Sequence, residues 1–245
     1  MADARELITN VEQTVQLPSG TEERFSGYGV MGLPFSSGHI LAFRRFPASS
    51  VGDGYFSIWH RDPDGRWSMF QNVPPSKACP RYFGSIVAEA GERDIAMAWT
   101  GPMSFTVTMG GDILWDVSLG SSPAIRAMNA VGGIMPDAMW RSPAVLKLMA
   151  AVAGPLLGSG RLRLVGEAPN GQDFIANPLR IWSIPQSRAV VNGVDLGPVG
   201  PLAEQASLGE FMIPQQGMFV IGRTFFENFD AARHASATTK DAKPA

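Results

Sequence analysis

Residues with obvious chemistry are scarce in this sequence. It has three histidines (His39, His60 and His234), a single cysteine (Cys79) and, before its C-terminal segment, only Lys77 and Lys147 as lysines. A three-histidine zinc centre would have to recruit His234 from the edge of that segment, and there is no CxxC pair, so no metal site is expected. Cys79 reads as a small buried thiol, or as a nucleophile served by a distant histidine. A GxxxxGKS/T phosphate loop and a GxSxG nucleophile elbow are both absent, and two lysines offer a Schiff-base enzyme little. Gly27-Tyr28-Gly29-Val30-Met31-Gly32 spells GxGxxG, but it sits in a strand pattern with no helix after it. Its glycines read as positions where a strand coils sharply or packs closely.

Isolated polar groups in apolar strands remain. Asp116 lies in Ile113-Leu114-Trp115-Asp116-Val117-Ser118-Leu119 and shares a face with Leu114 and Ser118. Facing a cavity, its carboxyl would have a raised pKa and serve as proton donor; facing water, it would be ordinary. His60 ends the strand Tyr55-Phe56-Ser57-Ile58-Trp59-His60, and His39 opens the preceding one. Either could act as a base near neutral pH or simply cap its strand. Arg44-Arg45 and Arg81-Tyr82 place guanidinium groups beside aromatics, suited to a carboxylate or enolate and equally to surface ion pairs. Tyr28 and Glu89 are weaker candidates of the same kind. The catalytic expectation is therefore Asp116 as donor with His39 or His60 as base. The ligand-binding expectation is Tyr28, Trp59, Arg81, Tyr82, Trp99 and Trp115.

The elements that must position these groups follow from composition and pattern. The chain has 245 residues, 17% of them charged, with 27 Gly and 19 Pro. That is fewer charges than the ~25% of an average domain, and many turns. A net charge of −2 argues against nucleic-acid partners. The N-terminus lacks an apolar signal region, and the apolar run Ala144 to Gly158 contains Lys147 and Pro155 and is too short to span a bilayer. A cytoplasmic protein without a transmembrane segment is the expectation.

Leu7, Val11 and Val15 predict a helix over 3–16, followed by a linker to residue 21. Short alternating runs predict strands at 24–31, 39–46, 55–61, 67–72, 83–88, 95–99, 104–109 and 113–119, with Asp62-Pro63-Asp64-Gly65 as a hairpin turn. Residues 122–159 predict a helical insertion, with Ser122-Pro123 and Ser142-Pro143 as its helix starts. Strands resume at 161–167, 174–184, 189–191 and 217–224, and 231–245 reads as a disordered tail. The fold class is mainly β: an antiparallel barrel, or two barrel-like halves at 22–121 and 160–230, lipocalin- or calycin-like, with a helical insertion.

This order of elements, with the aromatic strand Gly54-Tyr55-Phe56-Ser57-Ile58-Trp59 and its turn, resembles the lipocalin-related carotenoid hydratases (hydroxyneurosporene synthase-like proteins). The family's run of Glu and successive tryptophans has no counterpart here, so no catalytic residue is carried across. The resemblance implies a hydrophobic ligand and addition or elimination of water without a redox cofactor. Combined with the residues above, the expectation is a cofactor-independent acid/base enzyme, a hydratase, lyase or isomerase, on an apolar small molecule such as an isoprenoid. The alternative is a non-catalytic carrier of such a ligand. A third reading is peripheral membrane contact through the apolar helix at 144–157. Oligomeric state is left open.

Overall fold

The structure is a computed structural model that describes residues 3–235. Helix α1 (Ala4–Thr14) precedes strands β1 (Glu23–Pro34), β2 (Ile40–Ser49), β3 (Tyr55–Arg61) and β4 (Trp67–Gln71). After the short helix α2 (Pro80–Phe83) come β5 (Glu89–Glu92), β6 (Ile95–Gly101), β7 (Ser104–Met109) and β8 (Ile113–Gly120). Helices α3 (Pro123–Ile134), α4 (Asp137–Trp140) and α5 (Pro143–Leu156) follow. The chain then forms β9 (Val165–Glu167), the long β10 (Asp173–Val191), β11 (Val194–Asp195), β12 (Ser207–Leu208), β13 (Phe211–Met212) and β14 (Met218–Phe226).

One 12-stranded sheet holds nearly all of this, in the order β5-β4-β3-β2-β1-β14-β10-β8-β7-β6, with β9 and β11 also paired to β10. The late strands β14 and β10 are inserted between β1 and β8, so both strand blocks of the sequence share a single sheet. The sheet is mixed, because β5 runs parallel to β4 while the other pairs are antiparallel. It curls, and one face gathers fully buried side chains from distant strands: Val30, Phe43, Ile58, Phe105, Trp115 and Phe219. Strands β3 and β6 approach each other across this core without hydrogen-bonding, leaving an open half-barrel whose interior is solid. Ala4 and Ile8 of α1 pack on the same core. A second core lies on the opposite face, where Phe25, Tyr55, Trp59, Tyr82, Phe174 and Phe226 meet.

Three local expectations need correction. Residues 83–88 form the end of α2 and a single 3-10 turn, because Pro80 opens a helix whose ring side chains Tyr82 and Phe83 must turn onto the second core. The two strands expected at 174–184 and 189–191 are one continuous β10. Its register shifts at Pro178/Arg180 and Ser183/Gln186 absorb the missing donors of Pro178 and Pro185. The expected tail begins too early: Ala235 N–H donates to the Asn170 carbonyl at 2.9 Å and His234 is buried. Residues 236–245 lie outside the described residues.

The GxGxxG letters have a packing explanation. A Cβ on Gly27 would run into the Arg45 carbonyl, and one on Gly29 into the Phe43 carbonyl, so both glycines let β1 lie closely against β2, Gly27 at a register shift. Gly29→Ala is expected to lower the melting midpoint by roughly 5–10 °C, given overpacking costs of about 1–3 kcal/mol. Gly111→Ala, at a site with nothing within 4 Å, should leave it nearly unchanged. Equal midpoints by calorimetry would contradict the close β1/β2 approach.

Candidate functional site

A cavity of about 660 Å³ lies between the outer face of the sheet and helices α3 and α5. Its floor comes from alternate residues of β1, β2, β3, β10 and β14, and its roof from Ala127, Met128 and Val131 of α3 and Leu148, Val152 and Leu156 of α5. Ser122 caps α3 by accepting from Ile125 N–H at 3.2 Å, and Pro123 takes the first helical position. Asn129 then ties α3 to the floor: its Nδ2 donates to the Ile181 carbonyl and its Oδ1 accepts from Ile181 N–H, each at 2.9 Å. Beside α3, Trp140 of α4 is buried against the cavity. Arg141 caps that corner, with its guanidinium 3.9 Å from the Phe225 ring centroid and 2.6 Å from Glu22.

The inner end is where polar groups converge. The period of two in β2 sends Ile40, Ala42, Arg44 and Phe46 to this face, and in β3 it sends Tyr55, Ser57 and Trp59. Arg44 is 4% exposed. Its Nη1 donates to the carbonyls of Val30 and Phe43, its Nη2 donates to that of Met31 at 3.1 Å, and the guanidinium stacks 4.6 Å from the Trp59 centroid. Among the described residues no carboxylate pairs with it, and its Nε–H makes no hydrogen bond. Burial pulls its pKa down to about 10, so the cation persists at neutral pH.

Cys79 lies just before α2 and borders the cavity, with its Sγ 3.4 Å from the Tyr55 hydroxyl. Burial pushes both groups up, so thiol and phenol are neutral. The buried Trp59 Nε1 and Asn177 Oδ1 have no hydrogen-bond partner, and both side chains line the cavity. Tyr82 is fixed from behind. Its hydroxyl donates to Glu23 at 2.5 Å, Arg81 binds the same carboxylate at 2.6 and 3.0 Å, and its ring stacks 3.6 Å from that of Phe226. Burial alone would raise the Glu23 pKa, but the hydrogen bonds from Arg81 and Tyr82 and the guanidinium charge hold it below the usual carboxylate range.

Only part of the expected site is found here. Trp59 and Tyr82 line the cavity with their rings. Tyr28 borders it, while its ring packs on Phe219 in the other core and its hydroxyl donates to Glu12 at 2.7 Å. Trp115 is in the first core with Nε1 on Ser187 Oγ, and Trp99 packs there against Phe105. Arg81 faces Glu23. Asp116 is exposed on the sheet exterior beside Leu114 and accepts from Thr106 at 2.5 Å, because strand parity buries Trp115 and Val117 instead. His39 Nδ1 and His60 Nε2 meet at 2.9 Å, with rings stacked 5.1 Å apart, and neither lines the cavity. The structure thus brings the two histidines together but leaves Asp116 elsewhere.

The lining residues include no Asp, Glu, His or Lys; Lys77 and Lys147 are exposed and outside it. Among the described residues no cluster of three or more metal-ligating side chains occurs, and no helix is long and apolar enough to cross a membrane. Tyr55 and Asn177 were missing from the expected site, and Arg44, weighed as an anion anchor, was not carried into it. A signal for Arg44 existed, since it closes the run Ile40-Leu41-Ala42-Phe43 that is buried on both faces of β2.

No protein-family model and no curated protein matches the sequence. Among solved structures, an acetoacetate decarboxylase from Legionella pneumophila aligns over 91% of this chain and 90% of its own, at 8% identity and a TM-score of 0.41. A second acetoacetate decarboxylase structure aligns over 90% of each chain at 10% identity and the same TM-score. Likeness this distant carries no weight for the function of this chain.

The histidine pair makes stability depend on pH. Burial, with the neighbouring His39 adding to it and Asp62 opposing, lowers His60 to about 4; burial also lowers His39. The unfolded chain then binds more protons than the folded one between about 4 and the ordinary histidine value of 6.5, so stability is lost as pH falls through that window. From pH 7 to 5 the unsubstituted chain is expected to lose about 2 kcal/mol through His60. His60→Gln should lose less than half of that in denaturant titrations at the two pH values. Parallel losses in both proteins would contradict the neutral pair.

Proposed function

We propose that the chain binds an elongated, largely apolar small molecule with a carboxylate or similar acceptor head, the head on Arg44 and the tail beneath α3 and α5. The observation that carries this reading is the Arg44 guanidinium, buried, cationic and without a counter-ion among the described residues. A buried charge in such a position is costly until an anion or strong acceptor meets it. Trp59 Nε1, which makes no well-formed hydrogen bond and only leans toward the Cys79 thiol, adds a weakly held donor in the same cavity. The rest of the lining is almost wholly apolar, and the volume falls in the roughly 300–1,000 Å³ range of small-molecule sites. An isoprenoid or acyl chain with a terminal carboxylate has the required shape and polarity.

A second reading, acid/base chemistry on the same ligand class, is favoured by one contact. The Tyr55 hydroxyl borders the cavity beside Cys79 and, kept protonated by burial, can donate a hydrogen bond to a ligand head on which charge develops. The cavity walls supply no carboxylate or imidazole to act as base. Binding is therefore the primary reading, and turnover the secondary one.

The test is equilibrium binding of a fluorescent polyene fatty acid and of the corresponding alcohol. Arg44→Met should weaken the acid by about 10–100-fold, the span of a charged hydrogen bond, and the alcohol by much less. Equal binding of the acid by both proteins would overturn the head assignment. Ligand recovered chemically altered, with alteration lost in Tyr55→Phe but binding retained, would establish the second reading.

A further inference from the structure

The helices of the insertion that roofs the cavity, α3, α4 and α5, also carry six of the nine large apolar side chains exposed among the described residues. Ala127, Val131 and Ile134 recur at helical spacing along α3, with Val131 60% and Ile134 83% exposed. Leu148, Val152 and Leu156 form a matching stripe along α5, with Leu148 67% exposed. Five of these side chains, Ala127, Val131, Leu148, Val152 and Leu156, line the cavity as well, so the surface patch and the cavity mouth are one feature. Large exposed apolar patches of this kind mark partner or membrane contacts.

The charge around the patch selects between the two. In a chain whose net charge is −2, the segment 122–163 carries Arg126, Arg141, Lys147, Arg161 and Arg163 against a single acid, Asp137. Asp137 is already paired with Arg223, and the nearby Glu210 is opposed by Arg163 and Lys147. Arg126, Lys147 and Arg161 are exposed and form no ion pair among the described residues. An apolar face whose helices and following loop carry exposed cations without ion pairs among the described residues, on a chain otherwise acidic, matches the boundary between anionic headgroups and acyl chains.

We infer that the α3–α5 face docks on an anionic bilayer surface, with the cavity mouth turned toward the acyl layer. Leu148, Val152 and Ile134 enter the apolar zone, while Arg126, Lys147 and Arg161 lie at the headgroups. Docking stands independently of the ligand reading; entry of a ligand from the bilayer through the mouth rests on it.

Vesicle flotation of the full chain without added ligand tests the docking, using phosphatidylcholine vesicles with and without phosphatidylglycerol. Flotation with the anionic vesicles should exceed that with neutral ones by at least ~10-fold and fall with added salt. Leu148→Asp/Val152→Asp should abolish it, and Arg126→Glu/Arg161→Glu should reduce it on anionic vesicles by ~5-fold or more per charge while retaining the fold by circular dichroism. Absence of flotation with either vesicle, or flotation unchanged in the charge variant, would overturn the proposal. So would a dimer in light scattering that Leu148→Asp dissociates, since the face would then be an interface between two copies. Because no ligand is present, these outcomes are independent of what Arg44 binds.

Discussion

The interior position of one cation constrains the rest of this molecule. Arg44 can be buried only because β2 is covered on both faces and because three backbone carbonyls and the Trp59 ring surround its guanidinium. The carbonyls of Val30 and Met31 come from β1, which reaches β2 closely enough only through Gly27 and Gly29. Cation–π contact and neutral acceptors solvate part of the charge, but none supplies an opposite charge. The site therefore retains capacity for an anionic group, at the closed end of a cavity whose walls repel water.

This arrangement gives the two faces of the half-barrel different roles. The curled interior, where a lipocalin-like protein would hold its ligand, is filled by Phe43, Phe105, Trp115 and Phe219. The open volume is outside, roofed by the helical insertion, and Asn129 locks that roof to the β10 backbone where the register shift at Pro178/Arg180 occurs. Insertion and sheet thus jointly define the site. The same helices leave their outer sides apolar, so the roof is both wall and surface.

Much of the secondary structure was legible in the sequence because alternation and turn chemistry are local. The hairpin around Asp62-Pro63-Asp64-Gly65 and the Ser122-Pro123 helix start both occur where their residues place them. Side-chain parity was also legible: Asp116 does share a face with Leu114 and Ser118, and His60 with Ile58. What parity cannot tell is which face holds a void, because that depends on non-local packing of β14, β10 and α3. Asp116 therefore read as a leading candidate and proved exposed, whereas Arg44 and Cys79, weighed against surface or packing roles, border the cavity. Length and composition hid the pairing of β1 with β14, almost the full chain apart. The joining of the two strand blocks into one sheet was invisible for the same reason.

The central claim is that the Arg44 guanidinium, buried beside the cavity without a carboxylate partner among the described residues, receives an anionic head, and heteronuclear NMR of its Nε–H group tests this most directly. The resonance is assigned by its loss in Arg44→Met and followed while a long-chain carboxylate is titrated into the unsubstituted protein. A large downfield shift of that proton, saturating with ligand binding, is the predicted result. Saturable binding of the carboxylate with the Arg44 resonance unmoved would contradict the account.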